Sequence, residues 1–216
     1  MNRQPAHAAK RRLALLVLPL ALIVGGCTAG TADDPAPRQA VTERPSPFRD
    51  CAALGTPPTA GSPAPSVSAT AAPGSGQVLP ELTFACFTGG APVALRDVAG
   101  PAVINVWASW CGPCRKELPA FQRLSERTAG HLQVVGVNTR DSRGGAQSIG
   151  EDFGVRFPIL VDQGDALQRE LKRNAFPLTL FVDAQGRIRH IDATGALDDA
   201  QLAKLVRQHL GLVVSA

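Results

Sequence analysis

Apolar residues in the C-terminal two thirds of the chain alternate between short continuous runs and helical stripes. The runs at residues 102–108 and 132–138 are apolar at nearly every position, which is typical of strands buried on both faces of a sheet. Between them, Leu118, Phe121 and Leu124 form one stripe and predict a helix over residues 111–127. Strands that alternate with helices predict an α/β sheet with helices on both faces.

Further elements follow from the same patterns. Apolar runs on either side of the turn at 88–91 predict an N-terminal hairpin. A helix and a short strand at about 145–162 form one unit, and a short helix is predicted near 166–172. Strands at 177–183 and 187–192 pair through the turn Ala-Gln-Gly, which makes the predicted sheet mixed. An amphipathic helix over 197–210 closes the chain.

The N-terminus has the pattern of an export signal. Lys10, Arg11 and Arg12 precede an apolar run at 13–24, which is shorter than the roughly 20 residues of a membrane-spanning helix. The sequence Val-Gly-Gly-Cys that ends at Cys27 resembles the lipobox of bacterial lipoproteins. It implies that Cys27 is the lipidated mature N-terminus and that residues 1–27 are a signal peptide.

Residues 28–77 are rich in Pro, Ala, Ser, Thr and Gly and predict a tether, because such a segment buries too little apolar surface to offset its ordering entropy. The stretch 46–54 interrupts this composition with Phe48, Cys51 and Leu54, so a short ordered element is expected there. The folded domain is predicted to span 78–216.

The charge of the chain is concentrated at its N-terminus. The formal net charge is +4, with 22 basic and 18 acidic residues, but four basic residues precede Cys27. Removing them leaves 22 − 4 = 18 basic against 18 acidic residues. The remaining chain is formally neutral, which argues against a nucleic-acid partner.

Cys111 and Cys114 lie three residues apart at the start of the first predicted helix. Free backbone N–H groups and the positive end of the helix dipole favour a thiolate there, so the pKa of the Cys111 thiol is expected to be lowered. Gly112 leaves the sulfur open to attack, and Pro113 is tolerated in a first turn. This arrangement predicts a redox-active dithiol.

Other uses of the pair fit the sequence less well. Structural zinc needs four Cys or His ligands, and none of His7, His131, His190 and His209 is near the motif in sequence. A copper relay would need a nearby His or Met, a Cys–His hydrolase a suitably placed His, and a peroxidase a Thr-x-x-Cys surround. An inert structural disulfide is the remaining alternative. No metal and no cofactor are predicted.

The sequence WASWCGPCRKELP, together with FPILVD and FPLTLFVDAQGRI, resembles the thioredoxin superfamily. Its closest resemblance is to the TlpA/ResA-like branch of membrane-tethered thiol-disulfide oxidoreductases, many of which serve cytochrome c maturation. The resemblance covers residues 78 to the C-terminus. It implies a thioredoxin-like mixed sheet flanked by helices, with the helix-strand unit at 145–162 as an insertion.

The resemblance also implies residue roles. Cys111 matches the attacking cysteine, Cys114 the resolving one, Pro177 a cis-proline that lines the substrate groove, and Glu117 an acid that tunes the thiols. Trp110, Gly112, Pro113 and Phe176 complete the expected substrate-binding surface.

Two positions depart from the family pattern. Phe176 stands where the branch more often has a smaller residue, and Asn105 where plain thioredoxin has a buried acid.

The expected function is reduction of disulfides in exported proteins, with apocytochrome c and its Cys-x-x-Cys-His site as the best single substrate. A membrane thiol donor would return electrons to the enzyme, which is expected at the bacterial cell membrane, facing outward as an anchored lipoprotein. A disulfide-forming oxidant is the main alternative, and a non-catalytic metallochaperone is a weaker one.

Five cysteines are an odd number. Once lipid is assigned to Cys27 and the active pair is set aside, Cys51 and Cys86 remain. An exported location permits disulfides, so these two are predicted to form a structural disulfide.

Overall fold

The structure, a computed structural model, describes residues 44–58 and 76–215. Within them the chain forms eight strands, four α-helices and two short 3-10 helices. The strands are β1 Gln77–Val78, β2 Thr83–Cys86, β3 Val93–Ala94, β4 Ala102–Trp107, β5 Gln133–Thr139, β6 Ile159–Asp162, β7 Leu178–Val182 and β8 Arg187–Asp192. The helices are α1 Gly112–Arg127, α2 Arg143–Asp152, α3 Ala166–Glu170 and α4 Asp199–Leu210. The predicted signal peptide, Cys27 and most of the predicted tether lie outside the described residues.

Strand β4 lies at the centre of the sheet. All six of its residues are buried, as its continuous apolar sequence predicts. It pairs in parallel with β5, with Asn105 opposite Gly136, and antiparallel with β7, with Asn105 opposite Thr179. The loop that leaves β4 and enters α1 therefore starts from the most constrained part of the sheet.

The sheet is mixed, as predicted. Its strand order is β1-β8-β7-β4-β5-β6-β2-β3, with β4, β5 and β6 parallel to one another and the other pairings antiparallel. The predicted N-terminal hairpin is β2–β3, in which Phe84 pairs with Val93. The predicted inserted unit is α2–β6, and β6 joins β5 to the hairpin.

Two apolar layers cover the sheet, one on each face. On one face α1, α2 and α4 bury Leu118, Phe121, Ala146 and Val206 against the sheet. On the other face α3 and the 3-10 helix Ala52–Gly55 contribute Leu167 and Leu54. The helices thus lie on both faces, as the alternating pattern predicts.

The N-terminal segment, residues 44–58, packs into this domain. Phe48 is buried on the α1 face, where its ring meets that of Phe87 edge-on at 4.8 Å, while Cys51 and Leu54 are buried on the opposite face. The amide of Gln147 in α2 donates to the carbonyls of Arg44 and Pro45. The predicted ordered element is present, and the folded unit includes a segment N-terminal to residue 78.

A disulfide fixes this segment to the sheet. Cys51 and Cys86 are bonded, as predicted, and close a loop with a sequence separation of 35 residues. In the chain-entropy model a loop of that length contributes about 4 kcal/mol to stability. The bond joins the N-terminal segment to the last residue of β2.

The contact between Phe48 and α2 leads to a stability prediction. A Cβ atom added at Gly150 would lie 2.5 Å from Cε1 and Cζ of Phe48 and 3.0 Å from Cγ of Pro47. We expect Gly150→Ala to lower the free energy of unfolding by about 1–3 kcal/mol, because a buried ring has little room to move. Urea unfolding of the oxidised wild type and variant measures the difference in their free energies of unfolding.

Gly144, in the same helix, provides the matched control. A Cβ atom there has no neighbour within 4 Å. Gly144→Ala should be neutral or stabilising by up to about 1 kcal/mol, since alanine loses less backbone entropy than glycine. Equal stabilities for the two variants would contradict the packing of the N-terminal segment on α2.

Candidate active site

The cysteine motif lies where β4 ends and α1 begins. Cys111 is the N-cap of α1, and its sulfur accepts a hydrogen bond from the backbone N–H of Cys114 at 3.1 Å. Cys111 and Cys114 are joined by a disulfide. Cys111 is the more exposed of the two, at 5% against 0%.

The start of α1 favours negative charge on Cys111. The first turn holds no acidic residue, and the helix dipole places its positive end at this point. Arg115 and Lys116 follow directly and are exposed. After reduction, the N–H of Cys114 and these charges would stabilise a thiolate at Cys111.

Glu117 is buried behind the motif, one helical turn after Cys114. Its side chain is 1% exposed, so it is not a solvated helix charge. The amide nitrogen of Asn105 donates to its Oε1 at 2.7 Å, and the backbone N–H of Leu197 donates to its Oε2 at 3.1 Å. Burial raises the pKa of Glu117 from 4.5 to about 7; the two hydrogen bonds oppose that rise, and the charge of Asp192 adds to it.

Asn105 suits both protonation states of this carboxyl group. Its Nδ2 donates to the ionised form, while its Oδ1 is buried and has no hydrogen-bond partner among the described residues. A half-turn of the amide would present Oδ1 as an acceptor for a protonated Glu117. The buried carboxyl group supplied by α1 thus lies directly against Asn105 of β4.

The loop before β7 forms the other wall of the site. The Phe176–Pro177 peptide bond is cis, as predicted. The ring of Phe176 meets that of Trp110 edge-on, with 5.0 Å between centroids. Trp110 is 55% exposed, so its ring presents an apolar surface beside Cys111, whereas Trp107 is fully buried in the core.

Gly112 and Pro113 form the first turn of α1, as predicted. Space beside Gly112 is open, because an added Cβ atom would meet nothing within 4 Å. Of the predicted site residues, those from Cys111 to Glu117 share the start of α1, and Trp110 contacts Phe176. Pro177 directly precedes β7, whose first residue pairs with Val106 near the end of β4. Cys51 and Cys86 belong to the apolar layer on the opposite face of the sheet from Cys111 and Cys114.

Two residues of this region are absent from the sequence-based prediction. The carbonyl of Arg140 accepts a hydrogen bond from the indole N–H of Trp110 at 2.9 Å. Asp141 accepts hydrogen bonds from the backbone N–H and the hydroxyl of Ser109. The order of the strands could have indicated them. Both residues directly follow β5, and the carboxyl ends of the parallel neighbours β4 and β5 lie at one edge of the sheet, where the cysteine motif begins.

Within residues 44–58 and 76–215, no group of three or more His, Cys, Asp or Glu side chains is placed to hold a metal ion. In the same part of the chain, no helix is long and apolar enough to cross a membrane.

The sheet, the cis-proline and the disulfide at a helix start define a thioredoxin-like thiol-disulfide oxidoreductase. Residues 59–206 match the Redoxin family model, so the chain belongs to that family. That range includes Cys111, Cys114, Glu117 and Pro177.

The chain is also similar in sequence and in structure to individual thiol-disulfide oxidoreductases and thioredoxin-like proteins. The chain is 32% identical over 120 residues to the thioredoxin-like protein YneN of Bacillus subtilis, and 29% identical over 119 residues to the thiol-disulfide oxidoreductase ResA of Geobacillus thermodenitrificans. Each alignment covers 54% of this chain, and they cover 69% and 65% of the two relatives. The crystal structure of a DsbF homologue from Corynebacterium diphtheriae superposes with a TM-score of 0.54 at 27% identity, covering 61% of this chain and 85% of that one.

The pKa of Glu117 leads to a prediction for stability against pH. Between pH 4.5 and about 7, Glu117 is ionised in the unfolded chain but protonated in the folded protein. The unfolded state then binds fewer protons, so the contribution of Glu117 to stability falls as pH rises through this window and is constant above it. The total loss is about 3 kcal/mol.

Glu117→Gln removes this loss. Urea unfolding of the oxidised proteins should show the variant gaining on the wild type from pH 4.5 to 7.5, by about 3 kcal/mol in all. Glu126→Gln, at an exposed position of the same helix, is the control and should keep the pH profile of the wild type. A constant difference between Glu117→Gln and the wild type would contradict a raised pKa.

Proposed function

We propose that the protein reduces disulfides in exported proteins through a Cys111–Cys114 dithiol. The observation that carries this proposal is the buried carboxyl group of Glu117 one turn below Cys114, combined with the N–H of Cys114 that donates to the sulfur of Cys111. The N–H of Cys114 stabilises negative charge on the attacking sulfur of Cys111. The carboxyl group of Glu117 controls the charge of the resolving cysteine, Cys114.

The reaction begins from the reduced protein. The Cys111 thiolate attacks one sulfur of the substrate disulfide, and an enzyme–substrate disulfide forms as the other substrate sulfur leaves and takes up a proton. Cys114 then loses its proton and attacks the sulfur of Cys111. This step forms the Cys111–Cys114 disulfide and releases the second substrate thiol, so two electrons and two protons reach the substrate.

Glu117 acts on the second step. With a pKa of about 7, its carboxylate is suited to accept the proton that Cys114 must lose. Before that step, the same negative charge opposes ionisation of the Cys114 thiol and keeps it protonated. This prevents the helix start from over-stabilising the reduced form, which would make the pair an oxidant.

The proposed substrate is the Cys-x-x-Cys-His segment of apocytochrome c, which would bind across Trp110, Phe176 and Pro177. A membrane thiol protein would reduce the Cys111–Cys114 disulfide again. Lipid on Cys27 would anchor the domain outside the bacterial cell membrane through the tether. The name of the ResA relative supports thiol-disulfide chemistry but not a particular substrate.

A disulfide-forming oxidant is the second candidate. It is favoured by the acid-free first turn of α1 and by the adjacent Arg115 and Lys116, since a strongly stabilised thiolate makes the reduced form stable. The two candidates share their chemistry and differ in the direction of electron flow, which the reduction potential decides.

Equilibrium titration of the Cys111–Cys114 couple against glutathione or dithiothreitol measures that potential. We expect a value nearer the thioredoxin figure of about −270 mV than the DsbA figure of about −120 mV. A value near the DsbA figure would overturn the reductase proposal and favour the oxidant.

Glu117→Gln tests the role of the carboxylate in the same titration. At pH 8, where Glu117 is ionised, the variant should have a less negative potential, by on the order of 10–30 mV, because the charge that opposes thiolate is gone. At pH 6, where most of Glu117 is protonated, the two potentials should converge. A potential that does not change at either pH would assign Glu117 a purely structural role.

A further inference from the structure

The side chain of Arg140 contacts the ring of Phe176, and that ring contacts the ring of Trp110, beside the cysteine motif. We call this cluster the basic rim, because Arg140 gives it a positive charge. Its guanidinium carbon lies 5.2 Å from the centre of the Phe176 ring, which in turn meets the exposed ring of Trp110 at 5.0 Å. A cation over an aromatic face is held by the ring quadrupole. The charge of Arg140 therefore lies beside the contacting rings of Phe176 and Trp110.

The backbone of Arg140 is fixed in an uncommon conformation. Its φ of 49° lies in the left-handed region, which residues other than glycine rarely adopt. Its N–H donates to the carbonyls of Asp162 and Gly164, and its own carbonyl accepts from Trp110. Strain of this kind persists only where the surroundings enforce it, and it is concentrated at functional sites.

The guanidinium of Arg140 is exposed and open to a partner from outside the protein. Asp141 is the acidic neighbour, but its two oxygens already accept four hydrogen bonds, from the N–H and hydroxyl of Ser109, the amide of Asn138 and the N–H of Ser142. Among the described residues, Arg140 forms no ion pair with a carboxylate, whereas other surface arginines, such as Arg123, do.

The chain segments that carry Cys111 and Phe176 hold further positive charge. Exposed Arg115 and Lys116 follow Cys114, and exposed Lys172 and Arg173 lie in the loop that leads to Phe176. No acidic residue lies in 109–116 or in 171–177. The charged residues of these two segments, which include Cys111 and Pro177, are thus all basic.

We propose that Arg140 and this basic rim select substrate segments with Asp or Glu next to the target disulfide cysteine. The proposal rests on the reductase function above and names the chemistry of the substrate. A substrate chain that brings its sulfur to Cys111 and lies along the exposed surface of Trp110 and Phe176 places the neighbouring side chain near the guanidinium. A carboxylate there forms a bidentate ion pair, while a lysine or arginine meets like charge.

Three synthetic disulfide peptides test this selection. They have the same sequence except for the two residues that flank one cysteine, which are Asp, Asn or Lys. The rate constant for reduction of each peptide by stoichiometric reduced protein is measured under single-turnover conditions at low and high salt. The Asp peptide should react about two- to fivefold faster than the Asn peptide, the range of an exposed ion pair, and the Lys peptide more slowly. High salt should reduce the differences.

Two variants and a control assign the effect to Arg140. Arg140→Gln should slow the Asp peptide relative to the Asn peptide, so that the ratio of their two rate constants falls to near one. Arg140→Lys should retain part of the preference, because it keeps the charge but not the planar fork. Lys204→Gln, an equal loss of charge at an exposed position of α4, should keep the full preference.

The outcomes separate this proposal from the reductase function. Equal rates for all three peptides, or a preference that survives Arg140→Gln, would overturn selection by Arg140 while the reductase function stands. Failure of the reduced wild-type protein to reduce any peptide would overturn both. Near-ultraviolet circular dichroism of each variant shows whether the site remains folded.

Discussion

The burial of the Glu117 carboxyl group is the constraint on which the site depends. It places an ionisable group between β4, α1 and the loop before α4, through hydrogen bonds from Asn105 and from the N–H of Leu197. Because the carboxyl group loses its hydration, its pKa rises to about 7. A group with this pKa can accept and return a proton of a nearby thiol at neutral pH. The same contacts fix the turn of α1 that carries Cys114, so the geometry of the motif and its electrostatics have one origin.

The strands of the sheet and the N-terminal segment hold the cysteine motif and Glu117 in place. The fully buried strand β4 gives α1 a rigid starting point, and the antiparallel strand β7 places Pro177 at the end of β4 that leads to the cysteines. The N-terminal segment, residues 44–58, contributes buried residues to both faces of the sheet and is tied to β2 by the Cys51–Cys86 disulfide. One disulfide of the protein therefore stabilises the fold, while the other lies on the opposite face, at a helix start where the dipole favours a reactive thiolate.

The sequence predicts the strands and helices well where their periodicity is strong. Residues 102–108 and 132–138 correspond to β4 and β5 because strands covered on both faces need continuous apolar runs. The local pattern of apolar and polar residues does not predict which side chains far apart in the sequence are in contact. The burial of Phe48 depends on Phe87 and Gly150, far along the chain, and the placement of Arg140 over Phe176 depends on which strands are neighbours. Glu117 is intermediate: its helical spacing from Cys114 shows that it can reach the site, but only the packing of β4 and the α4 loop shows that it is buried.

The role of Glu117 is tested by infrared or carbon-13 NMR titration of its carboxyl group in the oxidised and in the reduced protein. We expect a midpoint near pH 7 in the oxidised protein, well above the ordinary value of 4.5, because burial disfavours the charged form. We also expect a higher midpoint in the reduced protein, where a thiolate at the motif adds like charge. A midpoint near 4.5 that is the same in both redox states would contradict this role, because Glu117 would then be neither desolvated nor coupled to the cysteines.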